Sequence, residues 1–180
     1  TKEDLRIAEA VTLAKDAGSL FRIGFGQDSH RFLPNGNKAL ILGGCELDDA
    51  GVSIDANSDG DVILHSLFNA ISSAIGERSI GHYADGLFKK GVTNSKEYLK
   101  IILDKLSQKR LRINNVSIMI EASRPRLEKY TSEIKKSLSK MLQLGEECIG
   151  IVYTSGERLS PFGQGKGMQC FSIVSLYAAC

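Results

Sequence analysis

The stretch NSDGDVILHSLFNAISSAIG, residues 57–76, decides much of the fold, because it contains a helix start, an apolar stripe and a helix end. Ser58 and Asp61 have the spacing of a capping box, which satisfies free N–H groups at a helix N-terminus. Apolar residues then recur with the period of a helix, at Leu64, Leu67, Phe68, Ile71 and Ile75. Gly76 is a typical residue after a last helical turn. We expect an amphipathic helix here, with its apolar face on a core.

Helical and strand-like segments alternate along the rest of the chain. Helical periodicity recurs at residues 1–15, which Asp16 to Gly18 ends, and at 95–110 and 129–144. Strand patterns occur at residues 21–26, 38–44, 114–123 and 148–154, and residues 167–179 suit a strand or a helix. The turn residues 34–37 suggest a hairpin between the first two strands. Strands interleaved with long helices predict a layered α+β or α/β fold.

Composition and charge narrow the classes of function. The 180 residues are 42% hydrophobic with a formal net charge of +2, which suits one globular domain and favours neither nucleic acid nor a membrane as principal partner. Cys45, Cys148, Cys170 and Cys180 form no C-x-x-C pair, so we expect reduced thiols. The sequence has no apolar run of bilayer-spanning length and no signal-peptide pattern at its start. We therefore expect a soluble protein of the cytoplasm, or of a plastid-type organelle if a transit peptide has been removed.

The segment GFGQDSHRF, residues 24–32, places Asp28 two residues before His30. In an extended segment side chains alternate, so both would point to the same side and offer two metal ligands. A transition metal needs at least one more protein ligand, and His65 is a better candidate than His82 because it flanks the apolar stripe of the predicted helix. The other interpretation of His65 is a buried, hydrogen-bonded histidine. One aspartate and two histidines would leave a zinc ion one open coordination position.

Five segments together resemble one known family. In chain order they are RIGFGQDSHRF, NSDGDVILH, SIGHYAD, RPRL and TSGERLSPFGQGKGM. The pattern is similar to that of the 2-C-methyl-D-erythritol 2,4-cyclodiphosphate synthases of the non-mevalonate isoprenoid pathway. The first helical segment, residues 1–14, resembles the last helix of the cytidylyltransferase that precedes this domain in bifunctional enzymes. The resemblance implies a helical linker or tail of an upstream domain at 1–20 and a synthase-like domain at 21–180.

The resemblance also implies a fold, an assembly and a reaction. The fold would be α+β, a layered sheet packed against helices, in a homotrimer with active sites between subunits. The enzyme would be a phosphorus–oxygen lyase acting on 4-diphosphocytidyl-2-C-methyl-D-erythritol 2-phosphate, whose 2-phosphate attacks the β-phosphorus and expels CMP. Zn²⁺, with Mg²⁺ or Mn²⁺ as a second ion, would hold the diphosphate and neutralise developing charge.

By motif, the resemblance implies particular site residues. The metal ligands would be Asp28, His30, His65 and Glu157, the last for the second ion. The catalytic positions would be Asn57 and Ser155, and residues 122–126 would line the cytidine pocket. The substrate-binding positions would be Asp28, His30, Asn57, Ser58, Ser79, Ile80, Gly81, Asp85, Ala122, Arg124, Arg126, Thr154, Ser155, Glu157 and Gln164.

Several of these positions depart from the family pattern. Asn57 stands where histidine is usual, which removes a cation but keeps a hydrogen-bond donor. The usual F-P-D-T-D loop is shortened to YADG, with Asp85 as its surviving acid. Gly156 and Gln164 replace the usual threonine and arginine, and Arg126 replaces lysine. Two hypotheses follow: a divergent but active synthase, or a catalytically weakened, metal-stabilised trimerisation or nucleotide-binding module.

Some of the polar and glycine residues have a second interpretation. Asp61 lies one helical turn before His65 and could orient its imidazole or simply sit beside it. Ser58 could contact phosphate or only cap the helix. Without the resemblance, Glu157 would be an ordinary surface carboxylate. The glycines of residues 163–167 could cradle a phosphate or form a flexible turn.

Overall fold

The structure, a computed structural model, describes residues 1–17, 21–33, 38–47 and 49–179 and, apart from residues 10–17 and 85, their side chains. The helices are α1 (Lys2–Ala17), α2 (Val62–Ile75), α3 (Ile80–Phe88), α4 (Ser95–Gln108) and α5 (Thr131–Leu142). The strands are β1 (Arg22–Leu33), β2 (Leu40–Leu42), β3 (Cys45–Leu47), β4 (Ser53–Asp55), β5 (Leu111–Glu121), β6 (Ile149–Thr154) and β7 (Gly167–Ala178). The predicted end of the first helix at Gly18 falls outside the described residues. Within those ranges, none of the helices has the length and apolar character needed to cross a bilayer.

Helix α2 confirms the helix predicted from residues 57–76, although it begins later than expected. Its N-cap is Asp61, whose carboxylate accepts two backbone N–H groups of the first turn. Ser58 does not cap the helix, because its hydroxyl accepts the N–H of Gly60 instead. Gly76, with φ +72°, ends the helix in the left-handed conformation, as predicted.

Five strands form one sheet in the order β4-β1-β7-β5-β6. Neighbouring strands are antiparallel except β5 and β6, which are parallel. The segment at residues 167–179, which could have been strand or helix, is the central strand β7. It pairs with β1 along its length, from Arg22 opposite Leu176 to Arg31 opposite Gly167.

The predicted hairpin between residues 21–26 and 38–44 is wrong. β1 pairs with β4 and β7, whereas β2 pairs with β3 in a separate two-stranded sheet. The β2–β3 turn contains Gly43 and Gly44, both with positive φ, a conformation that suits two-residue hairpin turns. The segment 38–44 therefore turns back on itself instead of pairing with β1. The turn predicted at residues 34–37 lies outside the described part of the chain.

Helices α2, α4 and α5 cover one face of the sheet, with α2 lying on β1 and β7. The approach of α2 to β1 is very close. A Cβ atom on Gly24 would lie 1.9 Å from the carbonyl oxygen of Ala70, and one on Gly26 would lie 2.1 Å from that of Ser66. Only glycine permits such contact between a strand and a helix backbone. This contact brings the first turns of α2 beside the second half of β1.

The opposite face of the sheet, called the open face below, exposes apolar side chains on four adjacent strands. Ile23, Phe25, Met119, Val152 and Ile173 are each between 43% and 66% exposed. The rings of Phe25 and Phe171 stack on this face with their centroids 6.0 Å apart. A contiguous apolar patch of this kind is typical of an interaction surface.

Candidate active site

Asp28, His30 and His65 lie together at one end of the sheet. These three candidate ligands are called the metal-ligand cluster below. β1 presents Asp28 and His30 on the same side, as the alternation of the strand predicts, and α2 brings His65 against them. Asp28 Oδ2 lies 3.1 Å from His30 Nε2 and 2.9 Å from His65 Nδ1, and the two ring nitrogens are 3.5 Å apart. His82 takes no part in this cluster. It lies on α3, with its Nδ1 3.4 Å from a guanidinium nitrogen of Arg78.

The spacing of the three ligand atoms fits a metal ion. Ligand atoms about 2.0–2.1 Å from a tetrahedral zinc ion lie roughly 3.3–3.4 Å from one another. The observed separations of 2.9 to 3.5 Å fall around that value. The three side chains are 8–21% exposed, so the cluster is sheltered without being sealed. Three protein ligands could thus hold a metal ion and leave one coordination position free, as catalytic sites require.

Charges within the cluster favour cation binding. Burial would raise the pKa of Asp28, but hydrogen bonds and charge interactions with His30 and His65 outweigh burial and lower it. Burial would lower the pKa of His30, but Asp28 outweighs it, with a smaller contribution from Asp55, and the pKa is raised. Asp28 is therefore an ionised carboxylate at neutral pH.

A chain of polar side chains orients His65. Its Nε2, on the side of the ring away from the cluster, lies 2.8 Å from Ser95 Oγ. The Ser95 hydroxyl in turn donates to Asp59. With Nδ1 turned to the cluster, the proton on Nε2 can be donated to Ser95, and this tautomer leaves Nδ1 free to bind a metal. Ser58 Oγ lies 3.5 Å from the same nitrogen.

Asp61 does not orient His65, contrary to one of the two sequence interpretations. Its buried carboxylate accepts the N–H groups of Gly43 at 2.9 Å, Gly44 at 2.6 Å and Leu64 at 3.0 Å. Burial raises the pKa of Asp61 to about 6, and these N–H groups act in the opposite direction. The carboxylate joins the β2–β3 turn to the start of α2, which is a structural role.

A cleft of about 190 Å³ opens beside His30 and His65. Asn57 and Ser58, on the segment before α2, and Ile80, at the start of α3, form part of its wall. The apolar side chains that complete the wall are those of Ala56, Ala84, Phe88 and Tyr98. The structure therefore places three of the predicted substrate-binding residues next to the metal-ligand cluster.

The loop predicted around Asp85 is a helix in the structure. Residues 83–86 lie within α3, which is anchored by Tyr83, whose ring is 5.5 Å from that of Phe68. This aromatic contact with α2 favours the helical conformation, and a motif comparison with a longer loop could not reveal it. The side chain of Asp85 lies outside the described part of the structure. The predicted site residues Ser79 and Gly81 are exposed at the start of this helix.

The remaining predicted site residues, called the loop group below, lie at the end of β6 and on the segments that follow β5 and β6. They are Ala122, Arg124, Arg126, Thr154, Ser155, Glu157 and Gln164. The N–H of Ala122 donates to the carbonyl of Thr154 at 3.1 Å, which joins the two segments. The Ser155 hydroxyl donates to Glu157 Oε1 at 3.3 Å, and both side chains are exposed. The loop group thus offers a hydroxyl, a carboxylate and two arginines to a ligand on the surface.

The glycines of the GQGKG segment are packed against other backbone. A Cβ atom on Gly163 would lie 2.7 Å from the carbonyl oxygen of Ser155, and one on Gly167 would lie 2.2 Å from that of His30. Gly165 has φ +81°. Close packing and a left-handed turn are therefore the structural reasons for these glycines.

The metal-ligand cluster and the loop group lie at the same end of the sheet, and Thr154, where the loop group begins on β6, is on the opposite face from the cluster. Asp28 and His30 point to the face that α2 covers, since they alternate with the open-face residues of β1. Thr154 shares its side of β6 with the exposed Val152 and so lies on the open face. Arg124 of the same group reaches the rim of the sheet, where its guanidinium carbon lies 5.8 Å from the centroid of the Phe32 ring. The metal-ligand cluster and Thr154 therefore face away from each other across the sheet of one chain.

Ser95 and Glu121 contribute to these sites but were missed from the sequence. Ser95 is the first residue of α4, as the helical pattern at residues 95–110 predicts, and Asn94 is the N-cap. Glu121 is the last residue of β5 and accepts hydrogen bonds from Gln169 and Ser160. Neither role has a local signal, because the partners are remote in sequence. Glu121 is unusual because it places a carboxylate on the same face of β5 as the apolar Met119.

Fold and cluster together define a class of protein: an α+β domain with three candidate metal ligands beside a small cleft. A profile of the YgbB family matches residues 21–177, and the chain belongs to this family. The 2-C-methyl-D-erythritol 2,4-cyclodiphosphate synthase of Chlamydia muridarum is 39% identical over 163 residues, which cover 89% of this chain and 90% of the relative. The synthase of Chlamydia felis is also 39% identical over 163 residues, 89% of this chain and 92% of the relative.

Solved structures agree with this family assignment. The Plasmodium falciparum IspF, solved as a CDP complex, has a TM-score of 0.77 at 31% identity, covering 89% of this chain and 97% of that chain. The bifunctional IspDF from Campylobacter jejuni has a TM-score of 0.80 at 33% identity, covering 88% of this chain and 42% of that chain. The family indicated by the sequence motifs and the α+β fold of sheet and helices are thereby confirmed.

Proposed function

We propose that this protein cyclises 4-diphosphocytidyl-2-C-methyl-D-erythritol 2-phosphate to 2-C-methyl-D-erythritol 2,4-cyclodiphosphate, with release of CMP. The observation that carries this proposal is the convergence of Asp28, His30 and His65 on the geometry of a three-ligand metal site with a free position. Relatives at 39% identity carry the name of this synthase. The Plasmodium falciparum neighbour was solved as a CDP complex, which supports a cytidine nucleotide as part of the substrate.

The metal-ligand cluster would position the reacting phosphates. Asp28, His30 and His65 would hold Zn²⁺, which when bound supplies positive charge for the β-phosphate. Asn57 and Ser58, on the cleft wall, can donate hydrogen bonds to phosphate oxygens. The 2-phosphate oxygen attacks the β-phosphorus, and the bond from that phosphorus to the bridging oxygen breaks as CMP leaves with the electron pair. Most of the rate gain in such a transfer comes from positioning and electrostatics.

The loop group would bind the nucleotide end of the substrate. The exposed carboxylate of Glu157 suits a second divalent ion, Mg²⁺ or Mn²⁺, which prefers oxygen ligands. Residues 122–126 would line the cytidine pocket, and Ser155 would stabilise the transition state through its hydroxyl. The other members of the proposed substrate contacts are Ser79, Ile80, Gly81, Asp85, Thr154 and Gln164.

We infer further that the active unit is a homotrimer with active sites between subunits. The apolar open face needs a covering partner. The metal-ligand cluster and Thr154 of the loop group lie on opposite faces of the sheet, so we expect a substrate that spans both groups to combine one chain's cluster with a neighbour's loop group. A threefold assembly, as the family resemblance implies, would close such head-to-tail contacts in a ring.

Two further interpretations stay predictions. One assigns residues 1–20 to the tail of an upstream cytidylyltransferase domain, and the bifunctional Campylobacter jejuni neighbour, of which this chain covers 42%, supports it. The other is a location in the cytoplasm or a plastid-type organelle.

The proposed reaction is tested by CMP release from the named substrate in the presence of Zn²⁺ and Mg²⁺. We expect turnover by the wild type and a loss of about a thousandfold or more in Asp28→Ala, since a catalytic metal contributes several kcal/mol. His65→Ala should lose bound zinc, and full zinc content in that variant would contradict the ligand assignment. An absence of turnover by folded, zinc-loaded wild type would instead favour a trimerisation or nucleotide-binding module.

A further inference from the structure

We propose that Glu121 is a positioning residue that holds the turn at residues 155–158, and with it Ser155 and Glu157, in the geometry that the reaction needs. The catalytic consequence rests on the proposed function. Glu121 is the last residue of β5, where it pairs with Thr154 of β6 and with Gln169 of β7. It therefore lies directly beside the start of this turn.

The turn has an unfavourable backbone conformation. Gly156, Glu157 and Arg158 follow one another with φ of +63°, +47° and +59°. Residues other than glycine pay roughly 1–2 kcal/mol each for the left-handed region. Such a conformation persists only where surrounding contacts impose it. The contacts around this turn are therefore expected to include the groups that fix its shape.

The carboxylate of Glu121 packs directly against the turn. A Cβ atom on Gly156 would lie 2.0 Å from Glu121 Oε1, so the carboxylate fills the space that a side chain at position 156 would need. Gln169 Nε2 donates to Glu121 Oε2 at 2.6 Å, and the Ser160 hydroxyl donates to Oε1. Each carboxylate oxygen thus accepts a hydrogen bond, and a movement of the carboxylate away from Gly156 would break both of them.

Ser160 extends this contact to the other side of the turn. Its hydroxyl donates to Glu121 and accepts the N–H of Gly163 at 3.0 Å. Gly163 is buried against the turn, since a Cβ atom there would lie 2.7 Å from the carbonyl oxygen of Ser155 and 3.0 Å from the nitrogen of Arg158. One carboxylate therefore supports the turn directly at Gly156 and indirectly through two residues.

The metal-ligand cluster does not depend on this support. Glu121 lies on the open face with Gln169, whereas Asp28 and His30 lie on the face covered by α2. Removal of the carboxylate should displace Ser155 and Glu157 without releasing zinc. A displacement of about 1 Å at a reacting group can lower the rate by roughly a hundredfold.

The catalytic part of the proposal is tested with Glu121→Ala, Glu121→Gln and Ser160→Ala, with the exposed Glu46→Ala as matched control. We expect Glu121→Ala to lower kcat/KM for CMP release by about a hundredfold with unchanged zinc content. Glu121→Gln should restore most of this loss, because an amide can accept from Ser160 and donate to a flipped Gln169. Wild-type kinetics in Glu121→Ala, or loss of zinc together with activity, would overturn the proposal. If Glu121→Ala does not fold, Ser160→Ala decides by the same readouts.

The packing part is tested separately by a double-mutant cycle in thermal unfolding. Gly156→Ala in the wild type must displace the Glu121 carboxylate, whereas in Glu121→Ala the three atoms nearest to the new Cβ are absent and the backbone strain remains. We expect Gly156→Ala to lower Tm clearly less in the Glu121→Ala background. Equal shifts in both backgrounds would overturn the proposal. Because this cycle needs no substrate, it still decides if the wild type releases no CMP and the proposed function fails.

Discussion

Ser95 Oγ lies 2.8 Å from Nε2 of His65, the ring nitrogen that faces away from the metal-ligand cluster. This hydrogen bond fixes the tautomer and the plane of the ring while Nδ1 stays free. We predict that Ser95→Ala binds zinc about 10–100-fold more weakly, the usual effect of removing a partner that orients a ligand. Competition with a chromophoric chelator measures this affinity directly.

Ser72→Ala is the matched control for this prediction. Ser72 is also a buried serine, and among the described residues its hydroxyl has no hydrogen-bond partner. Its variant should keep wild-type zinc affinity. Equal affinities for wild type and Ser95→Ala would mean that Asp28 alone orients His65.

Gly26 sets the distance between β1 and α2, and this contact places His65 beside the strand. A Cβ atom there would lie 2.1 Å from the carbonyl oxygen of Ser66 and 2.3 Å from the nitrogen of Ala70. Because both are backbone atoms, the helix itself must shift, and we predict that Gly26→Ala lowers the free energy of unfolding by about 3 kcal/mol. Urea titration of the wild type and Gly26→Ala measures this change in the free energy of unfolding.

A strand glycine with room around it provides the control. A Cβ atom on Gly150, in β6, would meet only the carbonyl oxygen of Val116 at 3.7 Å, an ordinary contact. Gly150→Ala should change the free energy of unfolding by less than about 1 kcal/mol. A similar loss in both variants would show that the close approach of α2 to β1 is not the cause.

Asp61 makes stability depend on pH. Burial raises its pKa to about 6 from 3.8, so the folded state binds the proton more tightly than the unfolded state does. Protonation of Asp61 therefore stabilises the folded state. This contribution to the free energy of unfolding is fully present below pH 3.8 and is lost as the pH rises through about 6. Relative to Asp61→Asn, the wild type should lose about 2 kcal/mol of unfolding free energy between pH 4 and pH 7.

Chemical denaturation of both proteins across this pH range measures the difference. The asparagine variant cancels the contributions of the other titrating groups, since they are common to both proteins. A difference that does not change with pH would contradict the raised pKa. A difference that grows in favour of the wild type with rising pH would mean that the N–H groups of Gly43, Gly44 and Leu64 outweigh burial.

Local sequence patterns predicted α2 and the metal-ligand cluster well. The apolar period of residues 57–76 and the alternation of Asp28 and His30 depend on near neighbours, which a sequence shows directly. The motifs also singled out the residues of the loop group, which lie near one another at the ends of β5 and β6 in the structure. These features need only local geometry and one contact between α2 and β1.

Features that depend on remote partners were wrong or missed. The prediction of a hairpin was wrong because β1 pairs with β7, from the far end of the chain. Turn residues carry no information about such pairing. Ser95 and Glu121 act on residues far along the chain, so their types and positions had no local meaning. The helix around Asp85 carries Tyr83, whose ring packs against Phe68 of α2, a contact with a partner remote in sequence. The departure at Gly156 has a structural explanation that the sequence did not contain, since Glu121 occupies the space of its side chain.

Subunit complementation tests the central claim most directly, because the proposed site combines one chain's metal-ligand cluster with a neighbour's loop group. Asp28→Ala and Glu157→Ala should each release almost no CMP alone. Refolded together at equal amounts, they should regain up to about a quarter of wild-type turnover, since that fraction of randomly mixed sites receives both intact halves. Mixed assemblies, verified by native mass spectrometry, that stay as inactive as the two parents would contradict an active site shared between subunits.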